Sequence, residues 1–547
     1  MMPRQQNRRL VMALMMMTRV TSFFFYRNAS LPSRRPQHQQ THHTPMTPGR
    51  RMHACNSKDS NDESFGLYVH IPYCRRRCNY CDFAIVPIGD ATVSDSDSSR
   101  TNGFHRMDEQ YKQAILNEIE WIGSKQSSSD SSSSSRKKIP LRSIYFGGGT
   151  PSLAPLSTLK DIMNALLHSE NAPFQLMQIH DNFNDDDDDD SSAVEITIEM
   201  DPGTFNQQYL QSIKDLGFNR ISLGVQSFDD AILETMGRVH RSKDIYNSVN
   251  MIAEVFGEDK VNYSIDLISG VPGLKMEGWK ETLSKAVCIH PQPNHISVYD
   301  LQLEKGTTFA KWYANEMEND FDDDEEEDEA RGRIKIPTIS SLHHPKLPSA
   351  VDCASMYRCA SEYLRASGFE HYEISSFSRI KDDEKGPRRS YRSKHNQIYW
   401  EIGGKWYAVG LGATSNVNGR RYSRPRALAD YIAWSYSIES SDDNPPWVPK
   451  DVSEKLAAVH KDDALLDIIM TRLRTAEGLD QDWIAKEYGK SYVDAIFEGV
   501  KPFDDNLVTV SPHSIKLKDP DGFLFSNNII SNIFVELLYE NERRQVG

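Results

Sequence analysis

The sequence predicts an α/β protein: a partial or complete parallel barrel of six β-then-α units, followed by a smaller α+β domain. Three observations carry that expectation. Six short runs of β-branched and aromatic residues recur between about residues 66 and 301, each followed by a stretch with helical periodicity. A highly charged tract from about 317 to 349 interrupts the rhythm. Past it, the chain closes with a strand-turn-strand pattern and a last helix, which suits a small winged-helix-like unit.

The elements follow in order. Residues 1 to 58 hold nine arginines, one lysine and no Asp or Glu, with apolar patches at "LVMALMMM" and "FFFY". This composition fits an organelle transit peptide, mitochondrial in the first place and plastid in the second, or else a disordered leader. The strands are expected at "GLYVHI" (66–71), "RSIYF" (142–146), "AVEITIE" (193–199), "RISLGV" (220–225), "VNYSIDLI" (261–268) and "HISVYDL" (295–301). Helices are expected over 107–122, 156–168, 207–216, 229–236 and 277–286. Parallel strands need such crossovers, so the barrel is placed at 64–315. Disordered insertions are expected near 90–103, 124–138 and 181–192, where Ser or Asp runs carry no periodicity. Residues 316–349 read as an acidic low-complexity linker, and 350–547 as a C-terminal region with an amphipathic helix at "DALLDIIMTRLRTAEGLD", a hairpin at "LVTVSPHSIKLKDPDGFLF" and a final helix near 526–541.

Bulk properties exclude some classes. The mean hydropathy is −0.59, and no run approaches the ~20 apolar residues of a membrane span. The formal charge of −15 owes much to two acidic runs, Asp185–Asp190 and Asp322–Glu329. Such runs are ordinarily solvated, so the charge indicates no nucleic-acid partner. Seven cysteines without regular spacing do not form a disulfide framework.

In parallel α/β barrels, chemistry gathers at the carboxyl ends of the strands. The first strand runs into Cys74-x-x-x-Cys78-x-x-Cys81, and the second into "GGGTPS". The third ends at Glu199 before "MDPG", the fourth at Gln226 with Arg238 beyond it, the fifth carries Asp266, and the sixth ends at Tyr299 and Asp300. Three thiols in one loop make a soft donor set suited to iron-sulfur chemistry or zinc. Zinc ordinarily takes a fourth ligand, and no second C-x-x-C follows. A 4Fe-4S cube with one open iron matches three cysteines. The glycines of "GGGTP" allow close backbone approach to a ligand, or simply a tight βα connection. Glu199, Gln226, Arg238 and Asp266 form a polar ring able to hold a ligand bearing an amine, a carboxylate and a ribose.

With these motifs, and with "YVHIPYC", "EMDP", "GVQSF", "DLISGVPG" and "HISVYDLQLEKGTTF", the chain resembles the radical S-adenosylmethionine (SAM) superfamily, in the coproporphyrinogen dehydrogenase-like branch that holds the HemN and HemW proteins. The resemblance implies a partial (β/α)6 barrel with Cys74, Cys78 and Cys81 ligating a 4Fe-4S cluster whose fourth iron is chelated by SAM. It puts Tyr68, Tyr80, Gly148, Gly149, Thr150, Glu199, Gln226, Arg238 and Asp266 at SAM-contacting positions. It implies homolysis of SAM to a 5'-deoxyadenosyl radical, with an electron donor such as ferredoxin or flavodoxin. HemN proteins carry a further cysteine two residues after the third, where this chain has Phe83. That departure favours the HemW branch: a heme chaperone handing heme to an acceptor protein rather than an oxygen-independent coproporphyrinogen III dehydrogenase. "HNQIYW" (395–400) is similar to the motif associated with heme in HemW proteins, which implies heme contacts at His395, Asn396, Tyr399 and Trp400. On chemistry alone a second reading stands beside it, in which His395 and Asn396 hydrogen-bond a turn while Tyr399 and Trp400 fill an inter-domain core. No residue is assigned as catalytic.

Overall fold

The structure, a computed structural model, describes residues 64–89, 98–126, 138–177, 194–314, 344–381, 389–417, 420–438 and 453–546. The leader, the two acidic runs and the serine run fall outside the described residues.

All six expected strands form: β1 (Phe65–Ile71), β2 (Ile139–Gly148), β3 (Glu195–Met200), β4 (Arg220–Gln226), β5 (Tyr263–Ser269) and β6 (His295–Asp300). They pair in parallel and in sequence order. Side chains alternate along each of them. Leu67, Val69, Ile144, Phe146, Ile196, Ile198, Ile221, Leu223, Ile265 and Leu267 are buried in the main apolar core, beneath the crossover helices α1 (Ser98–Gln126), α2 (Leu156–Leu167), α3 (Gln207–Asp215), α4 (Ser242–Phe256) and α5 (Met276–Cys288). The residues between them are polar on the same strands, for example Ser143 and Tyr145, Glu195 to Glu199 at every second position, Arg220 and Ser222, and Ser264 and Asp266. A polar inner face is the price of a lumen that must hold a ligand rather than pack shut.

Three expectations change. Helix α1 begins at Ser98 and ends at Gln126, so residues 98–103 and 124–126 are helical, not insertion. Polar residues can extend a helix without an apolar stripe to announce them. Helix α4 was not foreseen, although Ile245, Val249, Ile252 and Ala253 are buried at helical spacing. The third change concerns the domain boundary. Strands from beyond residue 350 join the barrel sheet at both edges: β7 (Phe369–Glu373) and β8 (Ser376–Lys381) extend it antiparallel past β6. At the other edge, after helices α6 (Ala350–Ala366) and α7 (Lys394–Trp400), β9 (Trp406–Val409) runs parallel to β1 and is followed by β10 (Thr414–Val417) and β11 (Arg420–Ser423). Adding strands covers the open edges that a partial barrel would leave.

The α+β unit is therefore shorter than the C-terminal region. Helices α8 (Ser453–Arg472), α9 (Lys490–Val500) and α10 (Ser526–Val546) surround a three-stranded antiparallel sheet of β12 (Leu479–Asp480), β13 (Val508–Val510) and β14 (Ser514–Leu517). Its own core includes Ile469, Ile496, Ile529 and Ile533. The expected hairpin and final helix are both present. No described helix is long and apolar enough to cross a membrane.

Candidate cluster and nucleoside site

The cysteine loop leaves β1 and returns beside itself. Tyr73–Cys74 pairs in parallel with Val86–Pro87, and Ile88 N–H donates to Cys74 O (2.8 Å). The three successive arginines pin the loop. Arg75 donates to Gly203 O (3.1 Å), Arg76 to Gly237 O (2.8 Å) and Arg238 O (2.6 Å), and Arg77 to Cys81 O (3.1 Å) and Phe83 O (3.0 Å). Asn79 adds bonds to Met236 O (2.9 Å) and Thr235 O (2.8 Å).

This anchoring brings Cys74, Cys78 and Cys81 to one cavity of about 300 Å³ at the carboxyl ends of the strands. Tyr80, Gly148, Gly149, Thr150, Glu199, Gln226, Arg238 and Asp266 line the same cavity. Among the described residues, no three Cys, His, Asp or Glu side chains are grouped so as to hold a single metal ion. A cube asks for something else, since each of its irons takes one thiolate. The donor chemistry fits. Three free, half-buried thiols face the cavity, with Arg238 Nη1 3.9 Å from Cys78 Sγ and Thr150 Oγ1 3.7 Å from Cys74 Sγ. Burial, and then Asp201, hold the Cys74 thiol well above its ordinary range, and burial pushes Cys81 up to about 11. Such thiols lose their protons to a bound metal rather than to water.

The polar ring is tightly organised. Arg238 donates to Asp201 Oδ1 (2.5 Å) and Gly224 O (2.8 Å), and Thr150 Oγ1 donates to Asp201 Oδ2 (3.1 Å). Glu199 accepts from Tyr145 OH at Oε1 (2.7 Å) and from Gly148 N–H at Oε2 (3.0 Å). Asp266 accepts from Ser222 (3.3 Å). Gln226 sits at φ 64°, the one non-glycine residue with positive φ among those described, just after a register shift in β4. Its buried Oε1 has no partner. Strain of ~1–3 kcal/mol and an orphaned acceptor at a cavity wall together suit a ligand carrying a donor.

The Cβ sides of Gly148 and Gly149 are filled by the protein itself, while both residues line the cavity. A Cβ at Gly148 would lie 2.4 Å from His70 Cε1, and one at Gly149 would lie 2.6 Å from Tyr73 O. The turn is close-packed on the protein itself, with Gly149 N–H donating to Ile71 O (2.8 Å). Tyr68 is not among the lining residues, and its hydroxyl is bonded to His70 Nδ1 (3.1 Å). His70 Nε2–H donates to Ala84 O (2.8 Å), so Nδ1 is the acceptor.

The "HNQIYW" residues are not on the cavity. They form α7, packed against β1 and β2. His395 is 3% exposed, with Nδ1 bonded to Ser143 Oγ and Nε2 to Tyr399 OH, both at 2.9 Å. Neither ring nitrogen is free for iron in this arrangement. Asn396 Nδ2 bonds Tyr372, Glu373 and Ser376 at the β7–β8 turn. Trp400 packs on the core of the α+β unit. Sequence reasoning missed Asp201, Gly224 and Tyr145 as site residues. Each lies an even number of positions from an assigned or strand-end residue, and that alternation was the available signal.

The Radical SAM superfamily model matches residues 68–286. The heme chaperone HemW of Synechocystis sp. is 32% identical over 86% of this chain and 96% of its own length. The chain belongs to the HemW family. Another member, from Bacillus subtilis, is 26% identical over 86% of this chain and 99% of its own. The mouse radical S-adenosyl methionine domain-containing protein 1, mitochondrial, is 28% identical over 65% of this chain and 62% of its own. Among solved structures, the coproporphyrinogen III oxidase HemN of Escherichia coli shares the fold with a TM-score of 0.58, at 19% identity, covering 86% of this chain and 90% of that one.

Proposed function

We propose that this protein is a heme chaperone that carries a 4Fe-4S cluster and SAM and passes heme to an acceptor protein. The observation that carries the cluster and SAM is the convergence of Cys74, Cys78 and Cys81 on a cavity shared with Glu199, Gln226, Arg238 and Asp266. The relationship to heme chaperones over nearly their full length supports the heme part. Bound there, the cluster and SAM supply one-electron chemistry. The chain's own contribution is to pin the cysteine loop through Arg75, Arg76 and Arg77, to hold Arg238 against Cys78, and to offer Glu199 and Asp266 as acceptors. Phe83, 49% exposed at the cavity, is the residue that favours a chaperone over a dehydrogenase. The leader composition and the mitochondrial relative support import into the mitochondrion, with a plastid as the alternative; ferredoxin or flavodoxin is a suitable electron donor.

An anaerobic heme titration of the reconstituted full chain, with and without its cluster, tests this reading. A saturable Soret band is expected, with about four irons per chain. Absence of the band, or conversion of coproporphyrinogen to protoporphyrinogen when SAM and a reductant are added, would remove the chaperone reading.

A further inference from the structure

Helix α7 has no task in the cavity, yet a continuous series of contacts joins the two. At the floor of the barrel, Glu195 accepts from Ser393 Oγ (3.1 Å) and from the N–H groups of Lys394 and His395 (both 3.0 Å), fixing the start of α7. The His395 ring, clamped by Ser143 and Tyr399, stacks on Tyr145 with centroids 5.1 Å apart and planes at 21°. Tyr145 is also near-parallel to Tyr68, at 6.2 Å and 19°. Its hydroxyl then reaches Glu199 on the cavity wall. Two glycines make room for this column. A Cβ at Gly147 would lie 2.7 Å from Tyr145 Cε1 and 3.0 Å from Glu199 Oε1, and one at Gly66 would lie 2.6 Å from Ile398 and 3.4 Å from His395.

We propose that His395 and Tyr145 are positioning residues for Glu199: the imidazole fixes the phenol, and the phenol fixes the carboxylate, so that its remaining lone pairs meet a donor group of the bound nucleoside sulfonium. His395 is on this assignment a clamp in the barrel floor and not an iron ligand. The proposal rests on the SAM reading of the cavity. Burial, together with Arg220 and Arg142, lowers His395 to about 3, so the ring stacks neutral. Burial pushes Glu199 up to about 7, while the bonds from Tyr145 and Gly148 hold that rise back. The other titratable groups facing Glu199 are Asp266 from β5, Asp201 beyond β3, Tyr68 from β1, Tyr299 from β6 and Tyr399 from α7.

The test is equilibrium dialysis of labelled SAM against the anaerobically reconstituted full chain over a pH series, with a heme titration of the same samples. Binding by the unaltered chain is expected to strengthen as pH rises through the Glu199 midpoint. Tyr145→Phe keeps the ring and removes one bond to a charged acceptor, so SAM affinity is expected to fall about tenfold and the midpoint to move to higher pH. His395→Ala is expected to weaken SAM binding and leave the Soret band, and His395→Phe, which keeps a stacked ring, to recover most of the SAM affinity. Unchanged affinity and midpoint in Tyr145→Phe overturn the proposal. So does a His395→Ala chain that binds SAM normally and loses its Soret band, which would return the histidine to iron. Should His395→Ala fail to fold, Tyr145→Phe decides alone. No saturable SAM binding by the unaltered chain overturns the SAM reading and this proposal with it.

Discussion

Replacing Gly149 by alanine tests the link between the glycine turn and the cysteine loop. The added Cβ would lie 2.6 Å from Tyr73 O and 2.7 Å from both the carbon and the oxygen of the Pro72 carbonyl, where ordinary contact begins at 3.4 Å. All three atoms are backbone, so no side-chain rotation relieves the overlap. The two segments must separate, which stretches Gly149 N–H to Ile71 O (2.8 Å) and Thr150 N–H to Tyr73 O (2.6 Å). Weakening two buried hydrogen bonds at ~1 kcal/mol each, with overpacking of ~1–3 kcal/mol, gives a loss of ~3–5 kcal/mol. Because Tyr73 precedes Cys74, the shift moves the first thiol away from the other two. Denaturant unfolding of Gly149→Ala should show that loss, and anaerobic reconstitution should show reduced iron content. Gly103→Ala is the control: it lies inside α1 with nothing within 4 Å of the added atom, and should stabilise the chain by up to ~1 kcal/mol. A Gly149→Ala chain as stable as the parent, with full iron, would refute the packing argument.

Other outcomes follow from the same geometry. Cys78→Ala should prevent cluster retention, read as iron and sulfide per chain; retention of zinc instead would point away from a cube. Arg424→Leu strands the fully buried Glu118, whose Oε1 lies 2.7 Å from Arg424 Nε, and should cost ~3–5 kcal/mol in denaturant unfolding; a loss below ~1 kcal/mol would show that water reaches the pair. Glu199 is raised by burial from 4.5 to about 7, so in the cluster-free chain its folded-state proton adds stability below pH 4.5 that is lost as pH rises through 7. Glu199→Gln should therefore gain stability relative to the parent between pH 5 and pH 8, and a pH-independent difference would contradict that burial. The buried histidines, lowered to about 4 at His70 and His240, act in the opposite sense below pH 6.5 and cancel in this comparison.

The primary sequence determined the parts of this protein that depend on neighbours along the chain. Period-two runs between helical stretches fixed six parallel strands in order, because sequential βα units close with short crossovers. The spacing of Cys74, Cys78 and Cys81 put three thiols on one loop, and the strand ends named most of the cavity wall. Tertiary structure decided what depends on distant segments meeting. The backbone of His395 bonds the carboxylate of Glu195, two hundred positions away, and no local pattern reports that contact. The same holds for β8 and β9, which pair with β6 and β1 at the two edges of a sheet whose first six strands end before residue 301. It also holds for the glycine turn: local sequence announces the freedom of Gly148 and Gly149, but only the folded chain shows that His70 and the Pro72–Tyr73 backbone occupy the space they leave.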